Sequence, residues 1–310
     1  MKKGIIALLL IATVPVFAAT YWQLIPQLNT NEIFDIEIRS DTYGWLCGNN
    51  STIAKYDGAN WALTSCPGFY KVNGISATDD GNAWAVCDGG VILHFTGTNW
   101  NTVLSPTIQN LNDIWMYDYN NGWIVGNNVL LRYNNGLWSV YSQAGMNYNW
   151  QGVWGNAAQY VWICGSSGRT SRWNGTSFAN SYTVSPAAQL NAIWFNSSGN
   201  GWAAGENGRM YRWNGSSWYT SYAVTSNPLY SCSFTATNNG WATGDNGYIT
   251  HWTTSWQPYS PQLTTQPLNA IYMRSATSGF IGGGQGALIQ YVDDTAVVPA
   301  SVGQVKAMFQ

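Results

Sequence analysis

Seven aromatic residues recur along the chain at an almost constant interval. They are Trp45, Trp84, Trp123, Trp162, Trp202, Trp241 and Phe280, spaced 39, 39, 39, 40, 39 and 39 residues apart. A period of this length restricts a chain to solenoids, propellers or arrays. Four copies read Gly-Trp-x-x-Gly: Gly44-Trp45-Leu46-Cys47-Gly48, Gly122-Trp123-Ile124-Val125-Gly126, Gly201-Trp202-Ala203-Ala204-Gly205 and Gly240-Trp241-Ala242-Thr243-Gly244. Looser copies surround Trp84, Trp162 and Phe280. The fifth copy shows the anatomy. Residues 190–195 read as strand A, 201–204 as strand B, 209–213 as strand C and 218–222 as strand D. Asn207-Gly208 supplies the tight B–C hairpin and Asn214-Gly215 the C–D turn. Four short strands per repeat with Gly-rich turns and periodic Trp predict a β-propeller of seven blades.

The ends of the chain predict how the ring closes. Strand D carries an aromatic at Trp61, Trp100, Trp138, Phe178, Trp218 and Trp256, and none follows strand C of the seventh copy. Trp22 stands 39 residues before Trp61, so the N-terminal strand is expected to complete the last blade and leave it no free edge. The chain therefore divides into a signal peptide (1–18), a seven-bladed propeller (19–291) and a C-terminal tail (292–310). The leader consists of Lys2 and Lys3, an apolar run and Val16-Phe17-Ala18. It predicts secretion, to the periplasm or to the cell surface and beyond, from a bacterial source, with no membrane span in the mature chain. The tail contains Asp293-Asp294 and a short amphipathic piece.

Composition narrows the function. Only 8% of residues are charged and the net charge is −2, so no basic surplus exists to neutralise nucleic-acid phosphates. The five cysteines, Cys47, Cys66, Cys87, Cys164 and Cys232, contain no CxxC pair, which argues against a zinc site. Most read as small buried residues; a Cys66–Cys87 or Cys47–Cys87 bridge is an open alternative. No metal, cofactor or catalytic constellation is expected, and the chain reads as a monomer.

Alignment by repeat sorts the candidate site residues. Lys55, His94, Arg132, Arg172, Arg212 and His251 share one position, just before the strand C aromatic. Long basic side chains there pack over neighbouring rings or form a band for an acidic partner. Arg39 and Arg274 follow strand A in blades one and seven, which are ring neighbours. They read as a paired-guanidinium anion site or as exposed turn residues. Trp115, Trp154, Trp194 and Tyr272 occupy one strand A position where blade one has Glu37. They pack between blades or form a contact surface at the channel mouth. Asp35, Glu37 and Asp41 are the one acidic concentration, and a glycosidase needs two carboxylates about 5–10 Å apart. Asp35 has a repeat counterpart in Asp113, which favours a structural role. The interblade loops offer Phe69, Tyr70, Met146, Tyr148 and Tyr259 as an aromatic rim.

The pattern L-x-x-I-x-F…G-W-x-x-G-x-x-G-x-I-x-R…G-x-x-W is met by Leu190, Ile193, Phe195, Gly201, Trp202, Gly205, Gly208, Arg212, Gly215 and Trp218. It resembles the repeat of the photosystem II stability and assembly factors, within the wider group of BNR-like repeats of secreted bacterial proteins. The resemblance implies a non-catalytic binding scaffold, with the strand C arginines matching the arginine-rich surfaces of such proteins. The turn sequences Tyr56-Asp57-Gly58-Ala59-Asn60-Trp61 and Trp213-Asn214-Gly215-Ser216-Ser217-Trp218 lack one spacer of the Asp-box, which argues against sialidase-like chemistry. The expected function is a secreted, non-catalytic scaffold for a protein or cell-surface partner. A carbohydrate-binding, lectin-like propeller is the alternative, and a glycoside hydrolase comes third. Equivalent sites in several blades would favour the lectin, and a single asymmetric pocket with Asp35, Glu37 and Arg39 the enzyme.

Overall fold

The computed structural model describes residues 20–197 and 200–293. They form seven four-stranded antiparallel sheets. The inner strands are Ile33–Ser40, Val72–Asp79, Leu111–Met116, Trp150–Ala157, Leu190–Ser197, Leu229–Ala236 and Leu268–Ser275, one per blade. Six sheets run outward in chain order, and the seventh is closed from the other end. Its outer strand is Thr20–Leu24, paired antiparallel with Leu288–Asp293 so that Trp22 lies opposite Tyr291. The added strand gives Val292 and Asp293 partners, so the blade runs two residues past position 291. The leader and the tail from residue 294 onward lie outside the described residues. No helix among the described residues is long and apolar enough to cross a membrane.

The Gly-Trp pattern has a steric cause. The first glycine of strand B lies in register with the sixth residue of strand A: Gly44 with Ile38, Gly122 with Met116, Gly201 with Phe195, Gly240 with Phe234 and Gly279 with Met273. The large side chain crosses the glycine, and a Cβ there would stand 2.2 Å from Met116 Sδ or from the Phe195 ring. Two of the looser copies, those around Trp84 and Trp162, reverse or shrink the pair. Blade two sets Ala83 against Ala77, and blade four sets Val161 against Gly155. In each pair at least one partner is Gly or Ala, as close packing of the crossing side chains demands.

Aromatic layers hold neighbouring blades together. Trp202 of blade five is fully buried, stacked on Phe234 at 5.5 Å and edge-on to Trp256 at 5.4 Å, both from blade six. The closing Trp22 makes the equivalent contact with Trp241, edge-on at 5.4 Å, and lies 4.8 Å from Tyr291. All five cysteines are free, and four of them are buried as apolar residues. Burial pushes the Cys232 thiol up to about 12 and those of Cys47 and Cys164 well above the usual range.

Candidate functional site in the axial channel

The inner strands surround the ring axis, and residues from all seven line a cavity of about 220 Å³. Strand A positions are numbered one to six from Leu111 to Met116 in blade three and equivalently elsewhere. Position two carries a clasp. Asn73, Asn112, Asn191 and Asn269 each donate through Nδ2 to the position-one carbonyl of the next blade, at 2.7–2.9 Å. These amides satisfy backbone oxygens at the inner sheet edge that would otherwise be buried unpaired.

Positions three and five do the same for backbone N–H groups. Asp35 accepts from Ile36 at 2.8 Å and from Ile75 of blade two at 2.9 Å. Asp113 accepts from Ile114 at 2.7 Å and from Val153 of blade four at 2.8 Å. Glu37 accepts from the Ala77 amide at 2.6 Å and from Arg39 Nη1 at 3.3 Å. Ser76 and Ser233 repeat the position-five contact to Met116 and Met273. Gly74 separates Asp35 from Asp113, and a Cβ there would come 3.2 Å from Asp113 Oδ1. Burial raises Asp35 to about 6 and Glu37 to about 7, with Arg39 holding Glu37 back. Burial, and then the charge of Asp35, lifts Asp113 well above the carboxylate range. Among the described residues, no group of three or more His, Cys, Asp or Glu is placed to hold a metal ion.

These raised carboxyls have an unusual sign in the stability balance. Between pH 4.5 and 7 the folded Glu37 retains a proton that the unfolded chain has released, so its contribution falls as pH rises through about 7. Acidification from pH 8 to 6 should therefore stabilise the wild type, relative to Glu37→Gln, by about 1 kcal/mol. Gln at this position still accepts the Ala77 N–H. Parallel melting curves for the two proteins across this range would contradict it. His94 and His251, which burial shifts downward, act with the opposite sign and are common to both proteins.

The position-five aromatics do reach the channel, though unequally. Trp115, Trp154 and Tyr272 line the cavity. Trp194 is turned toward Phe234 at 5.0 Å and backs Trp154 at 6.1 Å. Trp115 lies over Gly155 of blade four, where a Cβ would meet its ring at 2.6 Å. The Val161–Gly155 reversal thus makes room for the indole. Tyr117 continues this surface outward, 6.0 Å from Trp115 in the exposed A–B turn.

Arg39 and Arg274 both lie on the A–B turn face, each with its own carboxylate. Arg39 pairs with Glu37 of the same strand, and Arg274 reaches Asp41 of blade one. Arg39 lines a groove of about 520 Å³ with Ser40, Thr42, Asp79 and Asp80, and Tyr272 borders both groove and channel.

The strand C set lies over the strand B aromatics. Lys55 Nζ sits 5.7 Å from the Trp45 ring and donates to the Asp80 carbonyl at 3.0 Å. Arg132 lies between Trp123 at 5.6 Å and Trp173 at 5.0 Å, and Arg212 between Trp202 at 5.3 Å and Trp252 at 5.7 Å. Arg172 lies 6.0 Å from Trp162. His94 stacks on Trp84 at 3.8 Å and His251 on Trp241 at 4.0 Å. Each imidazole meets a strand B asparagine, Asn82 or Asn239. Their lowered pKa makes the two histidines neutral stacking partners, so the cationic members are the lysine and the three arginines.

The interblade loops turn most of these large side chains inward. Met146 is buried, Tyr148 lies under Arg169 at 4.1 Å, and Tyr259 accepts from the Trp22 amide at 2.9 Å. Phe69 alone of that set is largely exposed, as are Leu104 and Ile108 in the next interblade loop. The asparagine clasp and the position of Asp113 beside Asp35 were not anticipated, although Asn at position two recurs in blades two, three, five and seven.

No protein-family model matches the chain, and no curated protein matches it. Solved structures do. YCF48 bound to D1 peptide superposes with a TM-score of 0.74 at 19% identity, covering 90% of this chain and 99% of that one. YCF48 from Cyanidioschyzon merolae gives 0.73 at 18% identity, over 88% of this chain and 99% of that one. A catalytically inactive histidine variant of virginiamycin B lyase from Staphylococcus aureus, with quinupristin, gives 0.79 at 12% identity, covering 88% and 99%. The protein is thus a seven-bladed propeller similar in fold to the photosystem II assembly factor YCF48.

Proposed function

We propose that the protein is an exported, non-catalytic, monomeric scaffold that binds a protein segment at the A–B mouth of its axial channel. The carrying observation is that Trp115, Trp154 and Tyr272 line a cavity to which every blade contributes. Loops and channel mouths on a rigid scaffold are where binding groups gather. The likeness to a propeller solved with a bound peptide supports a peptide-type partner. The polar groups that chemistry would use are already engaged. Both histidines are stacked and bonded to asparagine, and both oxygens of Asp35, Asp113 and Glu37 accept hydrogen bonds.

A photocrosslinking residue at Tyr117, with one at Ile108 on the opposite face as comparison, tests the reading in cell-envelope extracts. Protein adducts from position 117 that Trp115→Ala and Trp154→Ala abolish are expected. Adducts from position 108 alone would move the site. The absence of protein adducts together with saturable glycan binding would replace the scaffold by the lectin.

A hydrolase is the second reading, favoured by three buried carboxyls around one asymmetric cavity with Arg39 at its edge. General acid–base work needs a carboxyl within hydrogen-bond reach of the proton it transfers. Release of sugar from a glycoside panel, lost in Glu37→Gln and Asp113→Asn, would establish it.

A further inference from the structure

The two sides of the channel mouth differ in chemistry. Blade one lies across the ring from blades four and five, so Glu37 faces the side carrying Trp154, with Tyr272 beside it on blade seven. The described residues that line it include Asp35, Glu37 and Asp113 and no lysine, arginine or histidine. Arg39, at the edge, offsets one of these charges. We propose that this mouth is a socket for a single cationic side chain, lysine or arginine, presented by an extended segment of the partner protein. The inference rests on the scaffold reading and specifies the partner's chemistry.

Three features argue for that occupant. Indole and phenol rings attract a cation over their faces, and the bound apolar stem of lysine or arginine has Trp115 and Trp154 to lie against. Position three is two residues deeper than position five, about 7 Å along a strand. An unbranched stem entering past Glu37 therefore brings its charged end to Asp35 and Asp113. Each of these carboxylates accepts two N–H bonds, and an ionised carboxylate has roughly four acceptor positions, so capacity remains for a cationic donor. Gly155 is a positioning residue, because only its missing side chain leaves room for the Trp115 ring. The adjoining groove, with Ser40, Thr42, Thr78, Asp79 and Asp80, offers a polar bed for the peptide backbone next to the socket. The charges of Arg39 and Asp35 act on Glu37, and Glu37 acts in turn on Asp113, Tyr43 and Tyr272; Arg39 is the only base among these groups.

The test is calorimetry on residues 19–310 with the capped pentapeptide Gly-Gly-Lys-Gly-Gly, its arginine and norleucine counterparts, its Nε-acetyl-lysine form and free 1,5-diaminopentane. The lysine and arginine peptides should bind at least about tenfold more tightly than the norleucine and acetylated ones, as expected for charge-assisted contacts. Binding should weaken severalfold from pH 8 to pH 6 and should weaken in Asp113→Asn, Glu37→Gln and Trp154→Ala. Asn and Gln still accept the interblade N–H bonds, so circular-dichroism spectra that match the wild type separate loss of charge from loss of fold. Gly155→Val should weaken binding by displacing Trp115. Equal binding of the norleucine peptide overturns the socket, and equal binding of the free diamine overturns the peptide as occupant. A protein that crosslinks from position 117 but is not displaced by the lysine peptide overturns the socket while leaving the scaffold reading intact. No crosslinked protein at all removes that reading first.

Discussion

Trp22→Ala should lower the thermal midpoint by roughly 6–20 °C, since truncating a buried Trp costs about 3–5 kcal/mol and each kcal/mol moves a domain of this size by about 2–4 °C. Trp22 is only 2% exposed, on a strand whose sole partner is Leu288–Asp293. Its ring fills the layer between blades six and seven against Trp241 and Tyr291. Deleting residues 20–24 should cost more still. It removes the ring and also exposes the backbone edge of Leu288–Asp293, a template for pairing with another copy. Aggregation on heating should accompany the lower midpoint. Trp61→Ala is the comparison: the repeat-equivalent ring is half-buried, and its strand is held within the chain by its C–D hairpin. Unchanged melting of the deletion protein would show that the N-terminal strand does not close the ring.

Gly240→Ala should destabilise by about 3 kcal/mol or more, well beyond the usual cost of a glycine-to-alanine change in a strand. The new Cβ would stand 1.8 Å from the Phe234 ring. That ring has little room to retreat, stacked on Trp202 and packed against Trp194 at 5.0 Å and Trp256 at 5.9 Å. Phe234→Ala alone opens a cavity at about 3–5 kcal/mol. The double variant Gly240→Ala, Phe234→Ala should be no less stable than Phe234→Ala, because blade two already works with an Ala83–Ala77 pair. Chemical denaturation of the four proteins gives the coupling. Additive losses would mean that glycine serves some purpose other than passage under the strand A side chain.

The same pairing explains how much of the architecture could be read beforehand. A residue that must fit between two blades recurs once per blade, so its environment is written seven times and the repeat stands out even where single copies are loose. Trp84 and Trp162 looked irregular only because the glycine before them is replaced; the register with Ala77 and Gly155 supplies the compensation. The strand C set was likewise legible as a structural position. That its histidines are neutral stacking partners depends on burial between blades, which no local pattern carries.

The loop aromatics show the opposite case. Met146, Tyr148 and Tyr259 sit in polar connections, where sequence predicts exposure, yet each covers the end of an interblade layer. A loop side chain is placed by whatever cavity its neighbours leave open, and that cavity belongs to two blades at once.

Seven blades, their strand order and the closing role of the N-terminal strand follow from the sequence alone, because period, turn residues and the displaced Trp22 are all local or periodic signals. Which residues meet across the axis was decided only by the tertiary structure. Glu37 and Trp154 line one cavity, and Asp35 lies near Asp113 past Gly74, because ring closure brings together positions separated by whole repeats. The charge balance and hydration of the channel depend on that convergence.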